Sequence, residues 1–358
     1  MMSPKPDADD RISRSIPTRH TPLQIIHIIG NFMRVWSIYS MYQYLSQQGA
    51  SVALFIFACL VPSSIIFLAL QKPWKGRALS NSQVIPSIIN GGITALYFIL
   101  WGKGIKSCGP LRAILAEYSG AVLGVLSALL YGRSGRIWKK VGGLIAMVAA
   151  LFFLSQGWAT TTYSPLAFKD SSTVGKSVQQ EGALGIKDMI VPISAGILSA
   201  LRRVIARRVS LKNQLKRRLH AITITSATCF LFPLAMWDVI LGTTDNSIML
   251  PFPTWAYLST VLCGVILIFY VDNIAEERLH LVFSSPRHLM VAGGCIIVME
   301  IAYKMDFSLV GFLFCSSLLG LGIYHATSLD RTKKSYQPLD LSSDGTFESH
   351  MQMSPLPT

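Results

Sequence analysis

Residues 50–70 read ASVALFIFACLVPSSIIFLAL, an apolar run that contains no charged side chain and gives way to Gln71-Lys72-Pro73-Trp74. One helix crosses the core of a bilayer with about 20 predominantly apolar residues, so this stretch predicts a transmembrane span. Outward from it, similar stretches recur along the 358-residue chain, separated by short connections rich in Lys and Arg. They predict about ten spans, at 22–45, 50–70, 84–102, 110–131, 141–158, 188–206, 219–242, 254–272, 288–303 and 307–325. The chain is 51% hydrophobic and only 14% charged, with a mean hydropathy of +0.46. Soluble domains carry roughly a quarter charged residues, so the expected fold class is an all-α integral membrane protein. The first span is amphipathic and contains Arg34, which also admits a helix lying on the membrane surface.

Basic residues collect in cytosolic connections of membrane proteins. Every second connection, counted from the N-terminus, holds 24 of the 32 Lys and Arg, among them the run from Arg202 to Arg218. The opposite side holds 7, namely Lys103, Lys106, Arg112, Lys169, Lys176, Lys187 and Lys304, and Arg34 lies within a span. Both termini are therefore expected in the cytosol. The domain outline is a polar N-terminal segment, 1–21, a polytopic membrane domain, 22–325, and a disordered cytosolic tail, 326–358. Within the domain, about 159–187 is expected as a lumenal loop and about 202–218 as a basic cytosolic loop. The lumenal loop divides the spans five and five. That count is expected of the drug/metabolite transporter architecture, in which two inverted halves enclose a midplane site.

The N-terminal segment lacks the apolar core of a cleavable signal peptide, so targeting is expected to use a retained span. The net charge of +14 does not point to nucleic acid, because the basic residues lie between spans instead of alternating with exposed aromatics. The six cysteines sit in or at the edges of apolar stretches without a CxxC pair and read as small apolar residues. Motifs of soluble enzymes are missing: there is no P-loop, HExxH or GxSxG. Transport or a structural role remains, with membrane lipid as a partner.

Candidate site residues follow from charge inside apolar runs. Glu117 lies about two turns into a span, where an ionisable group usually faces a cavity or a partner. It reads either as a substrate or proton site or as a structural pair with Arg34. Arg112 and Glu300 complete this set of polar membrane residues, with Glu300 expected to pair with Lys304 four residues on. Pro110 suits the first turn of a helix, Gly109 a tight entry and Cys108 the preceding end. Behind them Ala116, Gly120, Gly124 and Ala128 form a small-residue ridge that lets a neighbouring backbone approach. Asp272, Glu276 and His280 fall at i, i+4 and i+8 and are the weak metal candidates, against the plainer reading of a solvated acidic face. Asp238 and Trp237 read as an interface marker. The run from Arg202 to Arg218 reads as a topogenic loop, with anionic lipid head groups as a second reading.

Gln71-Lys72-Pro73-Trp74, Ser107 to Arg112 with Glu117-Tyr118-Ser119, the Lys216 to His220 run and Phe269-Tyr270-Val271-Asp272 occur in an order that resembles one known family. This is the N-terminal membrane half of the long, Golgi-type zinc transporters of the cation diffusion facilitator family. The resemblance covers most of residues 22–325. It implies a multi-pass protein of the Golgi or early secretory pathway that takes part in zinc transport as an accessory module and forms a heterodimer with another cation diffusion facilitator subunit. The family's HxxxD metal ligands lie in a C-terminal half, and no His of this chain is followed by Asp four residues later. Hence no metal ligand carries over, no cofactor is expected, and zinc enters only as a transported ion. The alternative is a stand-alone carrier of the drug/metabolite type, moving a nucleotide sugar or similar anion.

Overall fold

The computed structural model describes residues 21–48, 51–75, 79–131, 137–161, 186–209, 216–240, 254–272 and 285–335. Among them there are helices and no strand. The helices are α1 (Thr21–Gln48), α2 (Val52–Gln71), α3 (Asn81–Cys108), α4 (Pro110–Ala116), α5 (Ser119–Tyr131) and α6 (Ile137–Ser155). Then follow α7 (Ile186–Val209), α8 (Lys216–Ile240), α9 (Thr254–Ser259), α10 (Pro286–Ala302) and α11 (Leu309–Ser335). Helix α9 runs on as a π-helical segment, Thr260–Leu267, and reaches Asp272.

Six of these helices are long and apolar enough to cross a membrane, with windows in α2, α3, α6, α7, α8 and from Trp255 to Asp272. The other expected spans fall short for identifiable reasons. Helix α1 is long but polar along one face, 110–131 is broken between α4 and α5, and α10 has 17 residues. The apolar part of α11 is the shorter segment Leu309–His325.

Large apolar side chains cover much of the outer surface, and the mainly apolar core also takes in polar groups. Ile65, Ile89, Ile145, Val204, Phe232 and Leu321 face outward, whereas Ser63, Asn90, Thr94, Glu117, Ser199 and His288 are buried. On α1 the contrast falls within one turn, since Ile29 is 55% exposed and His27 3%. An apolar exterior suits hydrocarbon, and buried polar groups then find partners inside. Interior prolines, Pro62, Pro86, Pro192 and Pro233, are carried by α2, α3, α7 and α8, which neighbouring helices tolerate in such bundles.

Helix α3 packs along α7 and α8, α2 along α8, α6 along α11, and α1 lies against the π-helical segment and α10. Helix α1 is thus an integral rod of the bundle and not a surface helix. Two further expectations need correction. The span 110–131 is not one helix, because it breaks at Glu117-Tyr118, where Tyr118 N–H bonds Leu115 O at 3.1 Å and Ala121 N–H bonds Tyr118 O at 2.9 Å. The first residues of the tail expected from 326 are helical, since α11 continues to Ser335, and 336–358 lie outside the described residues. The basic run from Arg202 to Arg218 is largely helical, with α7 extending to Val209 and α8 starting at Lys216; 210–215 lie outside the described residues.

Two connections that the basic-residue count assigns to one side, those after α2 and before α8, meet. Arg218 donates to the carbonyl oxygen of Pro73, joining the start of α8 to the turn after α2. Elsewhere Cys108 Sγ lies 3.2 Å from Asp188 O, and Ser308 N–H donates to Ala159 O at 2.8 Å. Most of the expected lumenal loop, 162–185, lies outside the described residues.

Candidate functional site

The break between α4 and α5 positions the site. Gly109, with φ of 82°, turns the chain out of α3, and Pro110 opens α4. Every residue of α4 is buried. Seven residues on, the helix stops and presents Glu117, 2% exposed, to the bundle interior. Its carboxylate forms an ion pair with Arg34 of α1 and accepts a hydrogen bond from Tyr97 OH of α3 at 3.0 Å. The guanidinium of Arg202, on α7, lies 4.6 Å over the Tyr97 ring, a cation–π contact that holds the ring and the cation together. Arg203 donates to Ser199 Oγ at 3.1 Å.

Tyr118, the second residue of the break, is 2.8 Å from His288 Nδ1 through its hydroxyl, and the His288 ring lies 5.5 Å from that of His27. Asn31 Nδ2 donates to His27 O at 2.9 Å. Asp272, at the end of the π-helical rod, interacts electrostatically with Arg34, Arg203, Arg202 and His27. Among the described residues, three arginines and two carboxylates therefore belong to this cluster. It draws on α1, α3, the α4–α5 break, α7, the rod ending at Asp272, and α10.

The small-residue ridge supports this geometry only in part. A Cβ on Gly120 would sit 2.8 Å from Gly196 O and from Ala200 Cβ, so α5 and α7 touch backbone to backbone there. Ser119 Oγ donates to Ile193 O at 2.9 Å in the same crossing, and Ala116 is fully buried. Among the described residues a Cβ on Gly124 would meet nothing within 4 Å, so the close approach expected along the whole ridge is seen at Gly120 and not at Gly124.

Arg112 and Glu300 form a second polar place rather than part of the first. Glu300 accepts a 2.6 Å hydrogen bond from Tyr39 OH, and Ser40 Oγ lies 3.2 Å from Tyr303 OH beside it. Arg112, also buried, interacts electrostatically with Glu300 and Cys108. The expected Glu300–Lys304 pair is not formed: α10 ends at Ala302, and Lys304 has φ of 51°, so it no longer lies one turn along the same face.

Of the weak metal candidates, Asp272 sits among arginines, an environment that opposes a cation. Glu276 and His280 lie outside the described residues, as does the Asp238 side chain. Among the described residues no group of three or more His, Cys, Asp or Glu could hold a metal ion. Sequence reasoning missed Tyr97, Tyr118, His27 and His288. For His27 a signal existed, because His27, Asn31 and Arg34 share one face of α1 at i, i+4 and i+7.

No protein-family model matches the chain. Ten chains of solved structures match its fold. One of them, described only as "Crystal structure of protein", is 15% identical, with a TM-score of 0.50 over 86% of this chain and 98% of the other. At that identity the likeness is one of fold alone.

Proposed function

We propose that this chain is a multi-pass membrane carrier of the drug/metabolite type, that its two five-helix halves enclose the Arg34–Glu117 cluster near the middle of the bilayer, and that the cluster accepts an anionic solute such as a nucleotide sugar. The observation that carries this reading is the set of three arginines gathered at a helix break in the bundle interior. Discontinuous helices at the midplane are where membrane carriers build substrate sites, and interior ionisable groups mark solute pathways. Among the described residues the arginines of the cluster outnumber its carboxylates, which favours an anion over a metal cation. Both termini are read as cytosolic from the distribution of Lys and Arg.

A second reading keeps the chain as an accessory module for zinc loading of the Golgi, partnered with another cation diffusion facilitator subunit. It is favoured by the segment Ser107 to Ser119, which carries the zinc-transporter resemblance and also builds the helix break. The experiment uses purified full-length protein in liposomes. Uptake of a labelled nucleotide sugar, lost in Arg202→Gln, is the expected result. No uptake across a panel of nucleotide sugars, with co-purification of a zinc transporter from Golgi membranes, would replace the carrier with the module.

A further inference from the structure

We propose that the cavity between α3, α7 and α8 is a water-filled entry that leads from the cytosolic end of these helices to Arg202 and the Arg34–Glu117 cluster. That the entry serves a solute rests on the carrier reading; the water in it does not. Helices α3 and α7 run antiparallel, and their seam differs at its two ends. At one end a Cβ on Gly104 would lie 2.9 Å from Pro192 Cβ, and Cys108 Sγ is 3.2 Å from Asp188 O, so the helices are in close contact there. Midway, the Arg202 guanidinium covers the Tyr97 ring. At the other end lies a cavity of about 60 Å³, with Asn90, Ile205, Val209, Lys216 and Thr223 in its wall. Val209 ends α7 and Lys216 starts α8, which is the end that the count of basic residues assigns to the cytosol.

The cavity extends from that end toward the cluster. Ile205 lies three residues after Arg202 on α7, and Asn90 seven before Tyr97 on α3, so each shares a helix face with a cluster residue. His220, also in the wall, interacts electrostatically with Arg202. The stretch from Arg202 to Val209 measures about 10 Å along the helix axis, and Ile205, Ala206 and Val209 of that stretch all border the cavity.

Water is the occupant that the chemistry selects. Asn90 Oδ1, a buried acceptor in the wall, and Arg202 Nε, a buried donor one turn beyond it, have no hydrogen-bond partner among the described residues, although such groups are ordinarily satisfied. A molecule that both donates and accepts serves both, and at about 10–15 Å³ each the cavity holds about four waters. The hydroxyl protons of Ser87 and Thr223 go to Gln83 O and Leu219 O, which leaves their oxygens as further acceptors for water. Most of the remaining wall is apolar. Few fixed partners retain a solute weakly, and weak retention is what a passage requires.

The test places single cysteines in the full-length protein, in sealed vesicles of either orientation, and times their reaction with a membrane-impermeant thiol reagent. The exposed Cys229 is replaced by Ala throughout. Because a thiol reacts as its thiolate, which forms in water and not in hydrocarbon, Asn90→Cys and Thr223→Cys should react from the cytosolic side at least about tenfold faster than Ile89→Cys. Ile89 precedes Asn90 at the same depth but faces outward. Thr223→Cys, close in size to the residue it replaces, keeps the test available where Asn90→Cys does not fold. Reaction of both no faster than Ile89→Cys overturns the entry, and uptake of a nucleotide sugar by the unsubstituted protein would then leave the carrier with another path. Reaction from the lumenal side alone overturns the entry as well. The expected reactivity without uptake of any nucleotide sugar retains the entry and removes the carrier reading.

Discussion

Two of the polar contacts that helix α1 sends into the bundle differ in kind. Arg34 meets a carboxylate at a helix break, in an ion pair steadied by Tyr97 and flanked by Arg202. Five residues along, Tyr39 meets Glu300 through a neutral hydroxyl. The first contact commits two opposite charges to an interior from which water is excluded, so each partner depends on the other. The second commits one carboxyl to a single hydrogen bond, and either partner is replaceable at lower cost. A solute anion competing for Arg34 would act on the first contact and leave the second unchanged, which separates a substrate site from a structural one along one helix.

Breaking the ion pair should produce the largest effect. Arg34→Leu leaves Glu117 buried without its cation and should destabilise the protein by about 3–5 kcal/mol, read as a lowered unfolding midpoint in detergent. Adding Glu117→Leu should recover most of that loss, since an apolar pair of similar volume is often neutral or better. No recovery in the double variant would mean that each residue is held by other partners and that the pair is incidental.

Gly120→Leu comes next, at about 1–3 kcal/mol, because it drives α5 off Gly196 and moves the α7 arginines relative to the break. Gly124→Leu, with open space beside its Cα, should change the unfolding midpoint by less than about 0.5 kcal/mol. Equal effects of the two would place the crossing elsewhere on α5.

The Tyr39–Glu300 contact gives the smaller responses. Tyr39→Phe should cost about 1–3 kcal/mol by removing the donor from a buried carboxyl. Glu300→Gln, which keeps a carbonyl acceptor for the tyrosine, should cost below about 1 kcal/mol. A larger loss for Glu300→Gln than for Tyr39→Phe would show that the charge of Glu300, with Arg112 as its partner, matters more than the hydrogen bond. Tyr97→Phe should remove about 0.5–1.5 kcal/mol, because the ring still carries the Arg202 contact.

Much of the architecture was legible in the sequence. The apolar run at 50–70 and its counterparts are helices because a long uncharged segment can satisfy its backbone within itself. Gly109-Pro110 marks a helix boundary through its own dihedral preferences, and the structure places α4 directly after it. Six helices meet the length and hydropathy of a span, and two stretches that the basic-residue count puts on one side, at Pro73 and Arg218, touch. These are local or additive properties, and each is fixed by residues close together in the chain.

Other features were decided by contacts between distant segments. The break at Glu117-Tyr118 interrupts a stretch whose composition favours one continuous helix. Its cause lies in what the two residues reach, Arg34 and Tyr97 on one side and His288 on the other. The amphipathic pattern of α1 was visible, but pattern alone does not say which face turns inward, since lipid and water reward opposite choices. Only the packing of α1 against the π-helical segment and α10 chose the polar face for the interior. Glu300 found Tyr39 rather than Lys304 because α10 ends before the Lys, and a chain separation of 261 residues carries no periodicity to betray such a pair. The sequence by itself thus determined which segments are apolar rods and which ends gather positive charge. The tertiary structure alone decided which buried charges meet, because that depends on where rods far apart in the chain come to lie side by side.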